Sequence, residues 1–307
     1  MIDILIPTYN RAEHLIRNLY HIEKILLTEC LLKEFTIYIS DNASTDDTVK
    51  DINNFKATNK SSIILTENKE NIGLEKNALK LLSIATSRYV IFLGDDDYLP
   101  AGYLTLLNDE AKRAKYGVII PNNASLYSDG SITLQRSKYK TLEMESGFLG
   151  LSKGVYLGHQ LSGLFFEKEN VLESYLQNKK FHNIYLFIYF IGFVMKRKKS
   201  LYISEYVVKI SEFNKKDWQY DNSGLITEIF KNYHALYKND IVKTFILCTK
   251  QCIRDPWRLR IGFKRVVPSF FSFIHILSNR YTPTLLKLFL PIIFIYLFYK
   301  RLLLHFK

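Results

Sequence analysis

The sequence predicts an α/β protein in which a mostly parallel sheet flanked by helices occupies residues 1–215 and a helical region follows over 216–307. Three observations predict it. Through the first 121 residues, short β-branched or aromatic runs alternate with helical patterns, the signature of a parallel sheet covered by helices. Three of those runs end in strongly polar text, which is where open sheets bind ligands. From Leu225 onward the apolar spacing is helical, no strand-and-turn pattern returns, and basic charge gathers at the end.

Strands are expected at residues 2–6, 35–40, 62–65, 89–93 and 117–120. After the first, Asn10 and Glu13 stand in capping-box spacing, and Leu15, Leu19, Ile22 and Leu26 form an apolar helical stripe. Ser44 and Asp47 repeat the device after the second strand. Gly73 opens a third helix that carries Ala78, Leu81, Leu82 and Ala85 inward, and Pro100 punctuates the start of a fourth. The turn-rich text from Pro121 to Tyr139 reads as loops or a hairpin on the sheet edge. Apolar segments between Gly147 and Phe213 complete the first domain. In the last region Ile226, Ile229, Phe230, Tyr233 and Tyr237 keep helical spacing.

The 307 residues are 48% hydrophobic and carry a net charge of +12. Residues 250–307 hold eleven Lys or Arg against one acid, Asp255, so +10 of the +12 lies in that tail. A nearly neutral body does not indicate a nucleic-acid-binding domain. Cys30, Cys248 and Cys252 form neither a redox pair nor half of a zinc site, and they fit a reducing compartment. The sequence opens on a strand pattern with no basic leader and apolar core, so a cytoplasmic location is expected.

The polar strand ends read Pro7-Thr8-Tyr9-Asn10-Arg11, then Asp41 to Asp47, then Gly94-Asp95-Asp96-Asp97. Neither a GxGxxG nor a GxxxxGK[ST] loop occurs, which argues against dinucleotide enzymes and P-loop NTPases. Three adjacent carboxylates at the rim of a buried sheet repel one another and call for a cation. Mg²⁺ or Mn²⁺ bridging this run to a pyrophosphate satisfies them. A solvated acidic turn capping the next helix is the competing reading.

The runs IDILIPTYNR, YISDNASTDDT, NIGLEKNAL and YVIFLGDDDYLP resemble, in order, the successive motifs of family 2 glycosyltransferases with the GT-A fold, a Rossmann-like sheet flanked by helices. The resemblance covers about residues 1–121. It implies a nucleotide-sugar donor and a DXD-type site in which Asp96 touches Mn²⁺ or Mg²⁺, with Asp97 beside it on the metal and Asp95 in the ribose shell. It also implies that Pro7, Thr8 and Tyr9 wall the nucleotide pocket, joined by Asn10, Arg11 and Asn71. Asp41 would accept a hydrogen bond from the base, and Lys76 would lie near the diphosphate. An exposed helix lysine is the other reading of Lys76.

Beyond residue 121 the likeness weakens. Inverting members place an Asp or Glu, often in an ED pair, after the acceptor loop, and no such pair follows Ser162-Gly163. His182 stands there instead, which resembles a branch acting in bacterial O-antigen and capsule assembly, abequosyltransferase-like enzymes included. His182 and Asp97 are the catalytic candidates, and His159 and Ser162 are candidates for acceptor contact. A histidine can act as base near neutral pH; a structural role beside aromatics is the alternative.

Residues 288–299 are an unbroken apolar run of twelve framed by Lys287 and Lys300-Arg301. As a helix it covers about 18 Å, short of a hydrocarbon core of about 30 Å. Trp257, Phe263, Phe270, Phe271 and Phe273, interleaved with Arg258, Arg260, Lys264 and Arg265, read as amphipathic segments lying on anionic lipid. Simple packing on the first domain competes with this. The expected protein is a glycosyltransferase attached peripherally to the inner face of the bacterial plasma membrane, acting on a glycan or lipid-linked oligosaccharide. A sugar-phosphate nucleotidyltransferase and an inactive scaffold of the same fold are the alternatives, the former disfavoured because PTYNRAEH contains no glycine.

Overall fold

A computed structural model of the protein describes residues 1–136, 139–212, 225–238, 240–261 and 266–305. The chain divides into two compact units, Met1–Gln177 with Phe190–Asn214 and Asn178–Tyr189 with Lys215–Lys307.

In the first unit the expected alternation forms as β1 (Ile2–Thr8), α1 (Ala12–Thr28), β2 (Phe35–Asp41), α2 (Thr48–Thr58), β3 (Ile63–Glu67), α3 (Gly73–Ile84), β4 (Tyr89–Phe92), α4 (Tyr103–Arg113) and β5 (Val118–Leu126). It continues through β6 (Ile132–Leu134), β7 (Leu142–Met144), α5 (Phe148–Gly154), β8 (Leu164–Glu167), α6 (Val171–Leu176) and α7 (Leu186–Met195), whose first residues belong to the second unit, to β9 (Ser200–Ser211). The sheet runs β3-β2-β1-β4-β8-β5-β9-β7, with β6 beside β5. β1, β2, β3 and β4 are parallel. β8 is antiparallel to both β4 and β5, and β9 is parallel to β5. The carboxyl ends of β1, β2, β4, β5 and β9 therefore share one edge of the sheet.

Alternating residues of the strands feed two apolar layers. Ile2, Ile4 and Ile6 of β1 and Ile37 and Ile39 of β2 share one core with Leu15, Leu19, Ile22 and Leu26 of α1 and Leu104 and Leu107 of α4. Phe92 stacks on Phe166 with ring centroids 6.1 Å apart, and both lie against Phe190. α7 is apolar on all sides, as suits a helix with no solvent face, and its residues from Leu186 to Ile191 are all buried.

Two local expectations are corrected. Neither capping box forms: α1 and α2 begin at Arg11 and Asp47 caps that make no side-chain cap bond. Asp46 takes both tasks, with Oδ1 accepting the Thr48 N–H at 3.0 Å and Oδ2 accepting the Ala12 N–H at 3.2 Å. The text after Pro121 does form a hairpin with β6, but β5 itself runs on through Pro121 to Leu126. Proline is tolerated there because the β5–β9 register shifts between Pro121 and Asn122, at a bulge that asks for no ladder N–H.

The second unit is helical: α8 (Ile226–Leu236), α9 (Ile241–Arg254), α10 (Val266–Ser278) and α11 (Thr284–His305). Ile226, Ile229, Phe230 and Tyr233 are buried as their spacing predicts, and Asp240 caps α9 by accepting the Lys243 N–H at 2.9 Å. The apolar run 288–299 is not a short helix but the middle of α11, which is 22 residues long and contains Pro291. Its length, about 33 Å at 1.5 Å per residue, is not what limits it. Among the described residues no helix is long and apolar enough to cross a membrane. Arg258 is also corrected: it is 2% exposed, with its guanidinium 2.9 Å from the Tyr185 hydroxyl and 3.4 Å from Asp255. Phe263, Lys264 and Arg265 lie outside the described residues.

Candidate active site

The carboxyl edge of the sheet gathers the polar strand ends. Thr8, the last residue of β1, donates its hydroxyl to Oδ2 of Asp95 at 2.8 Å. Asn10, in the left-handed region at φ 52, receives the Ser44 hydroxyl oxygen at its own N–H and accepts the Thr45 N–H at 2.8 Å. Thus the loop after β1 is stitched to the loop after β2. Asn42 continues the seam, with Nδ2 donating to Asn71 at 2.7 Å and Oδ1 accepting from Asn68 and from the Ile72 N–H. Asn71 in turn accepts the Gly73 N–H at 3.0 Å and so shapes the entry to α3.

Asp41 ends β2 and is 1% exposed. Its Oδ2 accepts the Ser44 N–H at 2.9 Å, while Oδ1 is buried with no hydrogen-bond partner among the described residues. A buried acceptor left unsatisfied costs about 1–3 kcal/mol. A ligand N–H brought to this edge of the sheet would satisfy it.

The three aspartates after β4 differ in their surroundings. Asp95 and Asp96 are half-buried, and Asp97 is buried. Oδ1 of Asp97 accepts the Ser211 N–H at 2.9 Å, and Oδ2 accepts the Ser162 hydroxyl. Ser162 itself accepts the Gly94 N–H at 2.9 Å, and Ser211 donates its hydroxyl to the Asp96 carbonyl. Gly94 is required by this closeness, since a Cβ there would lie 2.6 Å from Oδ2 of Asp97. Asn18 of α1 holds the same turn from the other side, donating to the Gly94 carbonyl at 3.0 Å.

Burial first, and the adjacent Asp96 charge second, push the Asp95 carboxyl up to about 7, against the Thr8 hydrogen bond and the Arg11 guanidinium. The same two causes push Asp97 up to about 7, against its bonds from Ser162 and Ser211; the charge of Glu212 adds to the rise. A cation beside them would offset the burial and repulsion that raise Asp95 and Asp97. Their oxygens are hard donors, so the set fits a divalent ion of the Mg²⁺ or Mn²⁺ type. Among the described residues no three or more His, Cys, Asp or Glu side chains make an all-protein metal cage. Mg²⁺ is ordinarily held by one or two carboxylates together with substrate phosphates.

The remaining sequence candidates fall as follows. Pro7 is buried within β1, Tyr9 and Arg11 are half-buried at its end, and Lys76 is exposed in the first turn of α3. Nδ1 of His159 donates to the Tyr156 carbonyl at 2.9 Å, which sets the ring. Ser162 is buried behind Asp97. His182 is half-buried in the second unit, after the turn Lys179–Phe181. The next residue, Asn183, bonds Asn232 of α8 at 3.2 Å.

Sequence reasoning missed Asn18, Ser211 and Glu212. Asn18 interrupts the apolar stripe of α1 one residue before Leu19, and a polar residue in a buried stripe is a signal. The Ser211-Glu212 pair ends the last strand, and the rule that strand ends carry the site applies to β9 as it does to β1.

Comparison with known proteins extends these features. The profile described as Glycosyl transferase family 2 matches residues 3–199. Abequosyltransferase RfbV of Salmonella typhimurium is 36% identical over 110 residues, which are 35% of this chain and 31% of that protein. The GalNAc(5)-diNAcBac-PP-undecaprenol beta-1,3-glucosyltransferase of Campylobacter jejuni is 29% identical over 184 residues, 59% of this chain and 56% of that protein. The chain thus spans about a third and just over half of these curated relatives. Among solved structures, residues 1–349 of S. aureus TarS in complex with UDP-GlcNAc align with a TM-score of 0.67 at 13% identity, over 90% of this chain and 80% of that one. This likeness shows the GT-A fold.

Proposed function

The chain belongs to glycosyl transferase family 2, and from that premise we propose that it moves a sugar from a nucleoside diphosphate sugar to a hydroxyl of a bacterial surface glycan, with inversion at the anomeric carbon. The observation that carries this reading is the convergence of Thr8, Asp41, Asp95, Asp96 and Asp97 on one edge of the sheet, with Oδ1 of Asp41 lacking a partner among the described residues. Both curated relatives are named as sugar transferases, and one is named for an acceptor on PP-undecaprenol. An O-antigen, capsule or other lipid-linked acceptor is the substrate class that follows. Residues 1–215 are the catalytic domain in this reading.

Tyr9 stacks on the base beside Pro7, and Oδ1 of Asp41 accepts a base N–H. Arg11 and Lys76 face the diphosphate, on loops shaped by Asn10 and Asn71. Asp96 holds a divalent ion, which when bound supplies Lewis-acid stabilisation of the departing diphosphate. Asp97 and Ser162 stiffen the turn that presents Asp96, and His159 contacts the acceptor. The acceptor hydroxyl must lose its proton to a general base.

The second unit docks on anionic lipid at the cytoplasmic face of the membrane. Leu288, Ile292, Ile295, Tyr296 and Tyr299 form an exposed apolar side of α11, with Lys300 and Arg301 exposed beyond it, and Phe270 and Phe271 are exposed on α10. Apolar insertion and basic charge together are the requirements for lying on such a surface.

A thermal-shift screen of UDP-, dTDP-, GDP- and CDP-sugars, with and without Mn²⁺, tests the donor reading, because a ligand that binds the native state raises the midpoint. At least one nucleotide sugar should raise it, more so with the metal. No shift by any donor, and no release of nucleoside diphosphate from any, would sink the proposal.

A further inference from the structure

We propose that Glu212 is the general base of this transfer, an inference that rests on the glycosyltransferase reading above. The topology brings it to the site. β9 is parallel to β5, β5 is antiparallel to β8, and β8 is antiparallel to β4, so β9 points the same way as β4. Glu212 is the first residue after β9, as Asp95 to Asp97 follow β4. Both therefore emerge on the carboxyl edge.

The two strand ends are also fastened together. Tyr98 and Lys209 exchange backbone hydrogen bonds of 2.9 and 3.0 Å. Ser211, directly before Glu212, gives its N–H to Asp97 and its hydroxyl to the Asp96 carbonyl. The Glu212 N–H donates to the Leu126 carbonyl at 2.9 Å. Its backbone cannot drift relative to the aspartate turn without breaking several of these bonds.

The carboxylate itself is aimed. Oε1 of Glu212 accepts the Ser125 hydroxyl at 3.1 Å, and the Ser125 oxygen accepts Nε2 of Gln135 at 2.7 Å. The Gln135 bond occupies the hydroxyl oxygen and so directs its hydrogen toward Glu212. These bonds fix where the Glu212 carboxylate sits, and the side chain is half-buried rather than enclosed. The charge of Glu212 is felt at Asp97, which agrees with the shared edge.

Chemically, a sugar hydroxyl is a poor nucleophile until its proton has somewhere to go. In the proposed step the acceptor oxygen forms a bond to the anomeric carbon while the bond from that carbon to the diphosphate oxygen breaks. The nucleoside diphosphate leaves with the bonding pair, and the hydroxyl proton passes to Glu212. Asp97 is held by Ser162 and Ser211, whereas Glu212 stands at the neighbouring strand end, where an acceptor hydroxyl can be brought to it. It also answers the missing ED pair after Ser162-Gly163 noted in the sequence: in this proposal the base comes from the end of β9.

The test measures nucleoside diphosphate release from the donor found in the screen, with water as acceptor, beside donor-induced thermal shift. Glu212→Gln should lower release about 10²- to 10⁴-fold while keeping the donor shift. Glu212→Ala should regain part of its rate with added formate, and Asp96→Ala should not. Should Glu212→Gln fail to fold, the formate response of Glu212→Ala decides, and its absence overturns the proposal. Release by Glu212→Gln within about fivefold of wild type, or a loss in His182→Ala with none in Glu212→Gln, overturns it too and leaves the donor reading standing. If no donor shifts or is cleaved by the wild type, the glycosyltransferase reading falls and this inference with it.

Discussion

Thr8 Oγ1 donates to Oδ2 of Asp95 at 2.8 Å, joining the end of β1 to the end of β4. The bond pulls the Asp95 carboxyl down against burial and the Asp96 charge. Thr8→Val keeps the shape of this buried residue and removes the donor. Because a hydrogen bond to a charged group is worth about 1.5–3 kcal/mol, nucleotide-sugar affinity should fall ~10- to 100-fold with the fold retained. Calorimetric titration of wild type and variant checks this, and equal affinities would detach Thr8 from the site.

Asp96 is the charge that raises both of its neighbours after burial. Asp96→Ala should therefore abolish turnover, yet leave the metal-free protein as stable as wild type or more so, since one of three repelling carboxyls is gone. Melting in chelator and release assays with Mn²⁺ read the two effects separately. Near-normal turnover would remove Asp96 from the metal site.

Asp46 caps two helices, through the N–H groups of Ala12 and Thr48. Burial alone would raise its carboxyl, and the hydrogen bonds from Thr48 and Ala12 more than offset that, leaving it lowered. The stability it adds is present above the unfolded carboxyl value, about 3.9, and is lost as pH falls through the lowered folded value. Asp46→Ala should cost about 1–2 kcal/mol at neutral pH and less near pH 3, measured by urea unfolding. An equal cost at both values would argue against the capping role.

Strand positions were legible because β-branched runs such as Ile2-Asp3-Ile4-Leu5-Ile6 alternate with helical stripes, and because polar text after a parallel strand has a physical meaning. The register of β9 was not. Its pairing with β5, strands about 80 residues apart in sequence, is a tertiary fact, and that pairing carries Ser211 and Glu212 to the aspartates. The caps failed for a similar reason. Asn10 and Ser44 are good caps for their own helices, but they bond across the gap between two loops, and local spacing contains no information about a partner 34 residues away. Arg258 reads as a surface cation in sequence because Tyr185, which receives its guanidinium, becomes its neighbour only on folding.

His234 is a pH-sensitive point in the second unit. Its Nε2 donates to the Tyr281 carbonyl at 2.8 Å, and its ring stacks on Phe181 with planes 8° apart. Burial lowers its pKa, with the Lys180 charge acting the same way and the Tyr281 bond opposing. The unfolded chain protonates this histidine near 6.5 while the folded unit resists, so the unfolded state binds more protons below that value. Stability should be full above pH 6.5 and decline as pH falls toward the lowered folded value. His234→Phe should flatten that slope, whatever its effect at pH 7.5. Urea unfolding at pH 5 and 7.5, read by fluorescence including that of Trp257, compares the slopes, and identical slopes would assign the pH dependence elsewhere.

α11 keeps Leu286, Leu290, Ile293, Phe294 and Leu297 buried and leaves Leu288 69%, Ile292 61% and Ile295 69% exposed. A helix with apolar residues on both sides has one face more than its own unit covers, and exposed apolar patches of this kind mark interaction surfaces. Lipid is the occupant that the basic surplus of residues 250–307 favours. Each Lys or Arg near an anionic surface contributes about 1 kcal/mol, weakened by salt, whereas each fully buried Leu or Ile contributes about 1.5–3 kcal/mol that salt does not screen. The full chain should therefore co-sediment with anionic vesicles, bind neutral ones more weakly, and resist extraction by high salt. Replacing Leu288, Ile292 and Ile295 together by Asp should lower partitioning at least ~100-fold and make the remainder salt-sensitive. Arg280→Glu with Lys300→Glu and Arg301→Glu should instead erase the preference for anionic lipid. Because the helix lies on the surface in this reading, protease added outside sealed vesicles that carry the protein within should leave residue 307 uncut. Cleavage there, or equal binding by wild type and the triple Asp variant, would overturn the docking of α11.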